Sequence, residues 1–374
     1  MKFAFVAPEI CTPFTEGRKR FVIDLIDELN HKHNLVLLTT THINESSELP
    51  CIVYTKFCHK PSQHLYATLV RLHHMLKTEQ PDIVCLFPYG TFRHLYGVAA
   101  KTFIWLTNQI CKIHGIPCIT LMYSIDEHAT IPQLKRYAQH LAVSSNQPNT
   151  LQINTGIQCQ NLVQSDDNTI KNKRILFLAG MWQQTIQRVD HIINTRGLGV
   201  LLESGRFLAK HNVKLIIAAP LFDSINCRKY LLTHSKNTWP SEAIVFREEV
   251  SIPEIFDDCD LFAFPYEKNI TQFAPTSVLE AMSAGKCVAL TDKAFLQPLI
   301  NNGKTAVPLT CNEHQNNSQL IAKQLLEILE NTERRKAIEK AAHYFVVENW
   351  SIKKSAFQLQ KYAQELIDSK TTSF

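Results

Sequence analysis

Short apolar runs alternate with helical patterns along most of the chain. The segments KFAFVAP at residues 2–8 and NLVLLTT at residues 34–40 each contain an unbroken apolar run. Between them, apolar residues recur at the 3.6-residue period of a helix over residues 21–29. Apolar strands separated by helices are typical of a parallel sheet that helices cover on both faces. The chain is therefore predicted to be an α/β protein.

The alternation starts again after a polar stretch at residues 164–173. The second series begins with RILFLAG at residues 174–180 and ends with TAVPLT at residues 305–310. Residues 171–173 are the predicted linker, because polarity peaks there and no periodicity survives. We predict two doubly wound, Rossmann-like domains over residues 1–165 and 166–348, followed by a terminal segment over 349–374. Ligands bind beyond the carboxyl ends of such strands. With two domains facing each other, the cleft between them is the expected ligand site.

Length and composition agree with a folded two-domain protein. The chain has 374 residues, of which 45% are hydrophobic and 20% charged. No apolar run approaches the roughly 18 residues that span a bilayer. The first apolar run stops at Pro8 and Glu9, which favours a β-strand over a secretion signal.

Cysteine, histidine and charge patterns exclude several classes of protein. The 11 cysteines are scattered without a CxxC pair, and the 16 histidines include no HExxH. This argues against a disulfide framework and a structural zinc site, and it favours a cytoplasmic protein. The net charge of +5 is spread over small clusters, so a nucleic-acid partner is not expected. The chain also contains no Walker A sequence and no GxGxxG.

The segment QFAPTSVLEAMSAGKCVALTD at residues 272–292 is the most informative part of the chain. It predicts a helix that begins near Pro275 and ends at Gly285, followed by a buried strand. Thr276 and Ser277 at the helix start suit a phosphate group, and Glu280 one turn later suits a ribose diol. The alternative is that Thr276 and Ser277 only cap the helix and that Glu280 is solvated.

The same segment resembles the signature of nucleotide-sugar glycosyltransferases of the GT-B fold, specifically family 4, the group 1 transferases. That family shows E-x7-E, commonly as EGFGLxxLEAMAxGxPVVASD, and here LEAM, the following Ala-Gly, the apolar strand and the final Asp fall in register. REEVSIPEIFDDCDLFAFPYEK resembles the segment that precedes the motif, and NTGIQ resembles the sequence that closes the first domain. YFVVENWSIKKSAFQLQKYAQELI resembles the last helix pair. The resemblance implies a GT-B fold whose C-terminal helix crosses back to the first domain.

By this resemblance, residues of the signature would bind a nucleotide-sugar. Glu280 would bind the ribose, while Thr276, Ser277 and neighbouring amides such as that of Ala274 would hold the diphosphate. Gln272 stands where the first glutamate of the family contacts the donor sugar. Glutamine keeps a hydrogen-bonding carbonyl but lacks the negative charge.

Two arginines are candidates for the cations that neutralise the leaving diphosphate. The family has an Arg and a Lys in the pattern GR…KG, whereas this chain has Met181 at the first position and Arg196 followed by glycine at the second. Arg196 would therefore act as the principal catalytic cation. Arg188 would supply the second charge, or it is an ordinary surface arginine.

The first domain departs from the family at two loops. Tyr123 replaces the histidine that the family offers in the cleft, and Asp126 or the nearby His128 would contact acceptor or donor hydroxyls. Gly17 replaces a pair of glycines and lets the backbone approach a ligand at a helix start, or it is a simple cap.

The sequence DDCD at residues 257–260 contains the D-x-D pattern that binds a metal in other transferases. Here it leads into a strand, where the resembled family also has an aspartate. We therefore predict no metal site and no cofactor apart from the donor, a UDP-sugar or a GDP-sugar.

The resemblance implies a metal-independent, retaining glycosyltransferase. It would move a sugar to a glycan or lipid-linked acceptor, with the first domain on the acceptor side and the second on the donor side. The apolar, basic-ended segment KTFIWLTNQICKI at residues 101–113 indicates a peripheral contact with the inner face of a membrane, or else it is buried by packing. The alternative function is a catalytically weakened binding or scaffold subunit, because Gln272, Met181 and Tyr123 each lack a group that the family has.

Overall fold

The protein is described from a computed structural model that covers most of the chain. The ranges that the structure describes are 1–7, 10, 17–39, 49, 51–54, 61–88, 98–122, 134–143, 149–160, 162, 173–178, 185–218, 225–247, 252–266, 274–293, 296–310 and 317–371.

The described ranges contain thirteen β-strands. They are β1 (Lys2–Val6), β2 (Asn34–Leu38), β3 (Ile52–Tyr54), β4 (Ile83–Leu86), β5 (Cys118–Met122), β6 (His140–Val143), β7 (Leu151–Gln152), β8 (Lys173–Leu178), β9 (Val213–Ala218), β10 (Ile244–Arg247), β11 (Leu261–Phe264), β12 (Cys287–Thr291) and β13 (Val307–Leu309).

The same ranges contain twelve α-helices. They are α1 (Gly17–Asn30), α2 (Pro61–Glu79), α3 (Val98–Ile113), α4 (Ile186–Thr195), α5 (Leu198–Leu208), α6 (Ile225–Ser235), α7 (Ile252–Asp257), α8 (Thr276–Ser283), α9 (Gln297–Ile300), α10 (Asn317–Glu330), α11 (Thr332–Trp350) and α12 (Ile352–Thr371). None of them is long and apolar enough to cross a membrane.

The chain forms two compact units. The first comprises Met1–Gln158 and Trp350–Phe374, and the second comprises Cys159–Ile270 and Ala274–Asn349. Residues 163–172, which include the predicted boundary after residue 165, lie outside the described ranges. Lys173 was placed in the linker, and this was wrong, because it is the first residue of β8.

The first unit is built on a parallel sheet with the described strand order β3-β2-β1-β4-β5-β6-β7. Alternate residues of β1 face opposite sides of the sheet, as the pleat requires. Phe3 and Phe5 pack with α1 and α12, whereas Ala4 and Val6 pack with α2 and α3. Helices on both faces explain why residues 3–6 of the strand are all apolar, and they confirm the doubly wound prediction.

The C-terminal helix α12 belongs to the first unit. Leu359 and Ala363 are fully buried in the core cluster that contains Leu25 and Ile26 of α1. At the start of α12, the Ser355 hydroxyl donates a 2.6 Å hydrogen bond to the carbonyl oxygen of Asn154. The prediction that the last helix crosses back to the first domain is confirmed.

The second unit contains a parallel sheet with the described strand order β10-β9-β8-β11-β12-β13. The register pairs Leu261 of β11 with Cys287 of β12 on one side and with Ile175 of β8 on the other. The carboxyl ends of these three strands therefore lie at the same edge of the sheet, where a doubly wound fold presents its ligand sites.

Candidate functional site

Helix α8 begins where the sequence predicted, directly after Pro275. Pro275 is the N-cap residue, with φ of −64° and ψ of 133°, and its carbonyl accepts hydrogen bonds from the amides of Val278 and Leu279 at 3.1 and 3.2 Å. The Pro275 side chain makes no capping hydrogen bond. The amides of Thr276 and Ser277 are the first two of the helix, and an α-helix has no internal acceptor for them.

The C-terminus of α8 is closed by a Schellman motif, as the predicted glycine stop requires. The amide of Gly285 donates to the carbonyl of Met282, and that of Lys286 donates to the carbonyl of Ala281, each at 3.0 Å. Gly285 has φ of +70°, which favours glycine.

The two faces of α8 differ in burial. Val278, Leu279, Ala281 and Met282 are fully buried. Thr276, Ser277 and Glu280 are only half-buried, and they lie on the opposite side because residues three and four apart share a helix face. This face offers two hydroxyls, two helix-start amides and a carboxylate. The amides at the positive end of the helix suit a phosphate, and the carboxylate one turn later is an acceptor for hydroxyl groups.

A histidine from another helix fixes the C-terminal turn of α8. His343 of α11 is buried, and its Nδ1 donates to the carbonyl oxygen of Ser283 at 2.7 Å. The Ser283 hydroxyl in turn donates to the carbonyl oxygen of Glu280 at 3.1 Å. The backbone that carries Glu280 is therefore tied to α11.

Arg196 lies in a tight turn at the end of α4. It is the C-cap residue, and its amide donates to the carbonyl of Ile192 at 3.1 Å. Gly197 follows with φ of +78° and is the N-cap residue of α5. A Cβ on Gly197 would lie 1.8 Å from the carbonyl oxygen of Pro265, so the turn packs backbone to backbone against the end of β11.

The side chain of Arg196 lies beside Tyr266, the second residue after β11. Its guanidinium carbon is 5.8 Å from the centre of the Tyr266 ring, within the range of a cation–π contact. Burial raises the pKa of the Tyr266 hydroxyl, and the nearby Arg196 cation opposes that shift. The phenol is therefore neutral, while the guanidinium keeps its charge beside the sheet edge.

The remaining predicted site residues are placed less completely. Ala274 is buried directly before Pro275, and Gly17 is the first residue of α1. Arg188 lies in α4, but its side chain is outside the described part of the structure, as are the whole of Gln272 and Asp126. Their predicted roles stay predictions.

The carboxylates of the DDCD segment have cationic or backbone partners. Asp258 pairs with Arg174 and, at 2.6 Å, with Arg247. Asp260 accepts a 2.8 Å hydrogen bond from the backbone amide of Arg174, which ties the start of β11 to the start of β8. Among the described residues, no group of three or more His, Cys, Asp or Glu side chains is arranged to hold a metal ion.

Tyr266 and His343 were not identified as site residues from the sequence. Tyr266 carried one usable signal, since a large aromatic residue follows a proline at a strand end, where ligand sites form. His343 carried none, because its partner Ser283 is distant in the sequence and the contact depends on how α11 packs.

Residues 183–344 match the family model described as Glycosyl transferases group 1. The predicted resemblance to group 1 transferases is confirmed for this segment, while the assignment to family 4 stays a prediction. No curated protein sequence matches the chain closely enough to count as a relative.

Several solved structures share the fold over nearly the whole chain. A glycosyltransferase from Rickettsia africae ESF-5 is 15% identical with a TM-score of 0.75, and the match covers 98% of each chain. Anabaena HepE in complex with UDP-glucose is 15% identical with a TM-score of 0.67, and all of both chains is covered. Sucrose-phosphate synthase from Thermosynechococcus elongatus is 11% identical with a TM-score of 0.68, covering 99% of this chain and 100% of the other. At such identities the similarity establishes the fold, and the predicted GT-B fold is confirmed.

Proposed function

We propose that this chain, whose residues 183–344 match the group 1 glycosyltransferases, transfers a sugar from a nucleoside diphosphate-sugar to a glycan or lipid-linked acceptor. The observation that carries the proposal is the half-buried face of α8, where Thr276, Ser277 and Glu280 follow one another at a helix start inside the matched segment. UDP-glucose bound to the structurally similar Anabaena protein supports a UDP-sugar as donor, with a GDP-sugar as the alternative.

The predicted site residues bind different parts of the donor. The amides and hydroxyls of Thr276 and Ser277, with the amide of Ala274, hold the diphosphate. Glu280 accepts hydrogen bonds from the ribose hydroxyls, and Gln272 orients the donor sugar through its amide.

Catalysis consists of positioning the two substrates and stabilising the departing diphosphate. Negative charge accumulates on the bridging and terminal phosphate oxygens as the glycosidic bond breaks. Arg196 offers a permanent cation with a planar fork of donors for that charge, and Arg188 adds a second. Asp126 contacts hydroxyl groups of the acceptor or of the donor, and Gly17 lets the backbone approach the bound ligand at the start of α1. We further propose that transfer retains the anomeric configuration and needs no metal ion.

Nucleotide binding to wild-type protein and to Glu280→Ala tests the proposal. UDP or GDP should raise the melting temperature of the wild type, because a ligand that binds only the folded state stabilises it. Glu280→Ala should lose most of this shift and most donor hydrolysis, whereas Glu254→Ala, at an exposed glutamate of α7, should behave as wild type. A full shift and full turnover in Glu280→Ala would remove Glu280 from the site.

The alternative, a binding or scaffold subunit, predicts a different response to Gln272→Glu. If the chain is an enzyme slowed by its missing carboxylate, this change should raise donor turnover. If the wild type and Gln272→Glu both bind nucleotide, but neither turns over the donor with any acceptor that is tested, the scaffold function is favoured.

A peripheral membrane contact is the proposed role of the exposed face of α3. Trp105 and Ile113 are 44% and 79% exposed, and Lys112 beside them is exposed as well. In sedimentation assays, anionic vesicles should bind the wild type more strongly than Trp105→Ala or Lys112→Ala. Equal binding of the wild type to neutral vesicles would contradict an electrostatic contact.

The eight described cysteines are free thiols, which supports a reducing, cytoplasmic compartment.

A further inference from the structure

The turn that carries Arg196 is fixed to the end of β11 by Gly197. The Cβ of any other residue at this position would lie 1.8 Å from the carbonyl oxygen and 2.4 Å from the carbonyl carbon of Pro265. Both are backbone atoms, which cannot move aside as a flexible side chain can. The close contact between Gly197 and the Pro265 backbone therefore requires glycine. This contact also sets the distance between the backbone of Arg196 and the residue that follows Pro265.

That following residue, Tyr266, is held on several sides. Its side chain is buried, with 5% of the residue exposed, and its ring stacks on that of Phe264 with centroids 4.0 Å apart and planes 18° apart. The hydroxyl of Thr291, the last residue of β12, donates a 2.7 Å hydrogen bond to its carbonyl oxygen. The ring is thus a fixed surface at the carboxyl edge of the second sheet.

The guanidinium of Arg196 lies over this surface at 5.8 Å. An arginine side chain has several rotatable bonds and loses much conformational entropy when it is held in place. Contact with a ring face restricts rotation about those bonds without using the N–H groups of the guanidinium. Those N–H bonds lie in the guanidinium plane and point outward from its edge, whereas the ring contacts its flat face.

From these contacts we infer that Tyr266 is a positioning residue, which holds the Arg196 guanidinium in the orientation that binds the diphosphate of the donor. The inference rests on the proposed function, in which Arg196 faces that diphosphate. It assigns Tyr266 no contact with the donor itself. The ring acts through Arg196, so its removal should weaken recognition of the phosphates and leave recognition of the nucleoside unchanged.

The test compares UDP with uridine, and GDP with guanosine, in NMR titrations that tolerate weak binding. Tyr266→Phe keeps the ring and should bind UDP as the wild type does. Tyr266→Leu removes the ring and should lose about 10-fold in affinity for the diphosphate, with affinity for the nucleoside unchanged. Arg196→Lys keeps the charge without the planar group and should lose affinity for the diphosphate alone, which tests the idea even if Tyr266→Leu fails to fold.

A double-mutant cycle separates positioning from general stability. Added to Arg196→Ala, Tyr266→Leu should cause no further loss of diphosphate affinity, because the group that it positions is already gone. Phe256→Leu removes a fully buried ring elsewhere in the unit and should lower the melting temperature without changing the preference for diphosphate over nucleoside.

The outcomes also distinguish this inference from the proposed function. An equal loss of nucleoside and diphosphate affinity in Tyr266→Leu, or an equal loss in both Arg196 backgrounds, would overturn the positioning role. Unchanged affinity in Arg196→Ala would overturn the role of Arg196 and the inference with it. If the wild type binds neither nucleotide, the proposed function itself fails.

Discussion

The imidazole of His343 donates a 2.7 Å hydrogen bond to the carbonyl oxygen of Ser283, and this contact holds the last turn of α8 against α11. A helix end leaves carbonyl groups without partners, and a buried one has to be satisfied by a side chain or water. The contact matters for the site because Glu280 lies one turn before Ser283 on the same short helix.

Loss of this hydrogen bond should destabilise the second unit. His343→Ala leaves a buried carbonyl without its donor, and we expect a loss of about 1–3 kcal/mol in the free energy of unfolding. His343→Asn places an amide donor close to the position of Nδ1 and should recover part of that loss. Urea unfolding measures both variants, with the exposed His211→Ala as control. Equal stability of His343→Ala and wild type would contradict the role of His343.

Gly197→Ala should be strongly destabilising, because the new methyl group meets the Pro265 backbone at 1.8 Å. We expect at least about 2 kcal/mol of lost stability, or rearrangement of the turn that carries Arg196. Gly303→Ala is a matched control, since Gly303 has a similar φ of +80° but its nearest neighbouring atom is 3.8 Å away. Chemical denaturation of the two variants separates the effect of the steric clash from the cost of the backbone conformation. Equal losses in the free energy of unfolding would show that the structure relieves the clash at little cost.

Gly156→Ala should loosen the C-terminal helix from the first unit. The added Cβ would lie 2.4 Å from the Ser355 hydroxyl oxygen and 2.7 Å from both the Ile352 Cα and the Ser351 carbonyl oxygen. Hydrogen exchange should therefore accelerate in α12 and in the residues of α1 that it covers. Adding Ser355→Ala should not restore protection, since two backbone atoms still clash. Unchanged exchange in α12 would show that the crossing adapts to a side chain.

Asp24 should make the stability of the first unit depend on pH. Burial is the main reason that its pKa is raised to about 6; the Arg20 cation opposes the shift and Asp27 adds to it. Because the folded state holds the proton more tightly than the unfolded state, the stability that Asp24 contributes is present at low pH and is lost as pH rises through about 6.

Asp24→Asn removes this titration. The stability of the variant minus that of the wild type should therefore be larger at about pH 7 than at about pH 5. Denaturant unfolding of both proteins at the two pH values measures this difference. Asp257→Asn, at an aspartate whose side chain is 70% exposed, should show the same difference from wild type at both values. A constant difference for Asp24→Asn would contradict the raised pKa.

Much of the fold and part of the site could be predicted from the sequence. The strand KFAFV and the helix limits at Pro275 and Gly285 follow from local patterns, because an apolar run, a proline at a helix start and a glycine at a helix end act over a few residues. The family motif identified Arg196, Thr276, Ser277 and Glu280 as candidates. Lys173 was misplaced because a lysine at a strand end looks the same as one in a polar linker.

Only the tertiary structure decided which of these local elements support one another. Tyr266 lies under Arg196, His343 holds the end of α8, and Gly156 makes room for α12. Each pair joins residues that are distant along the chain, so its contact depends on strand order and helix packing rather than on local conformational preference. The sequence determined where strands and helices form and which residue types accompany them, since those preferences are local. The folded chain decided which side chains meet, because burying apolar surface fixes the position of the whole backbone at once.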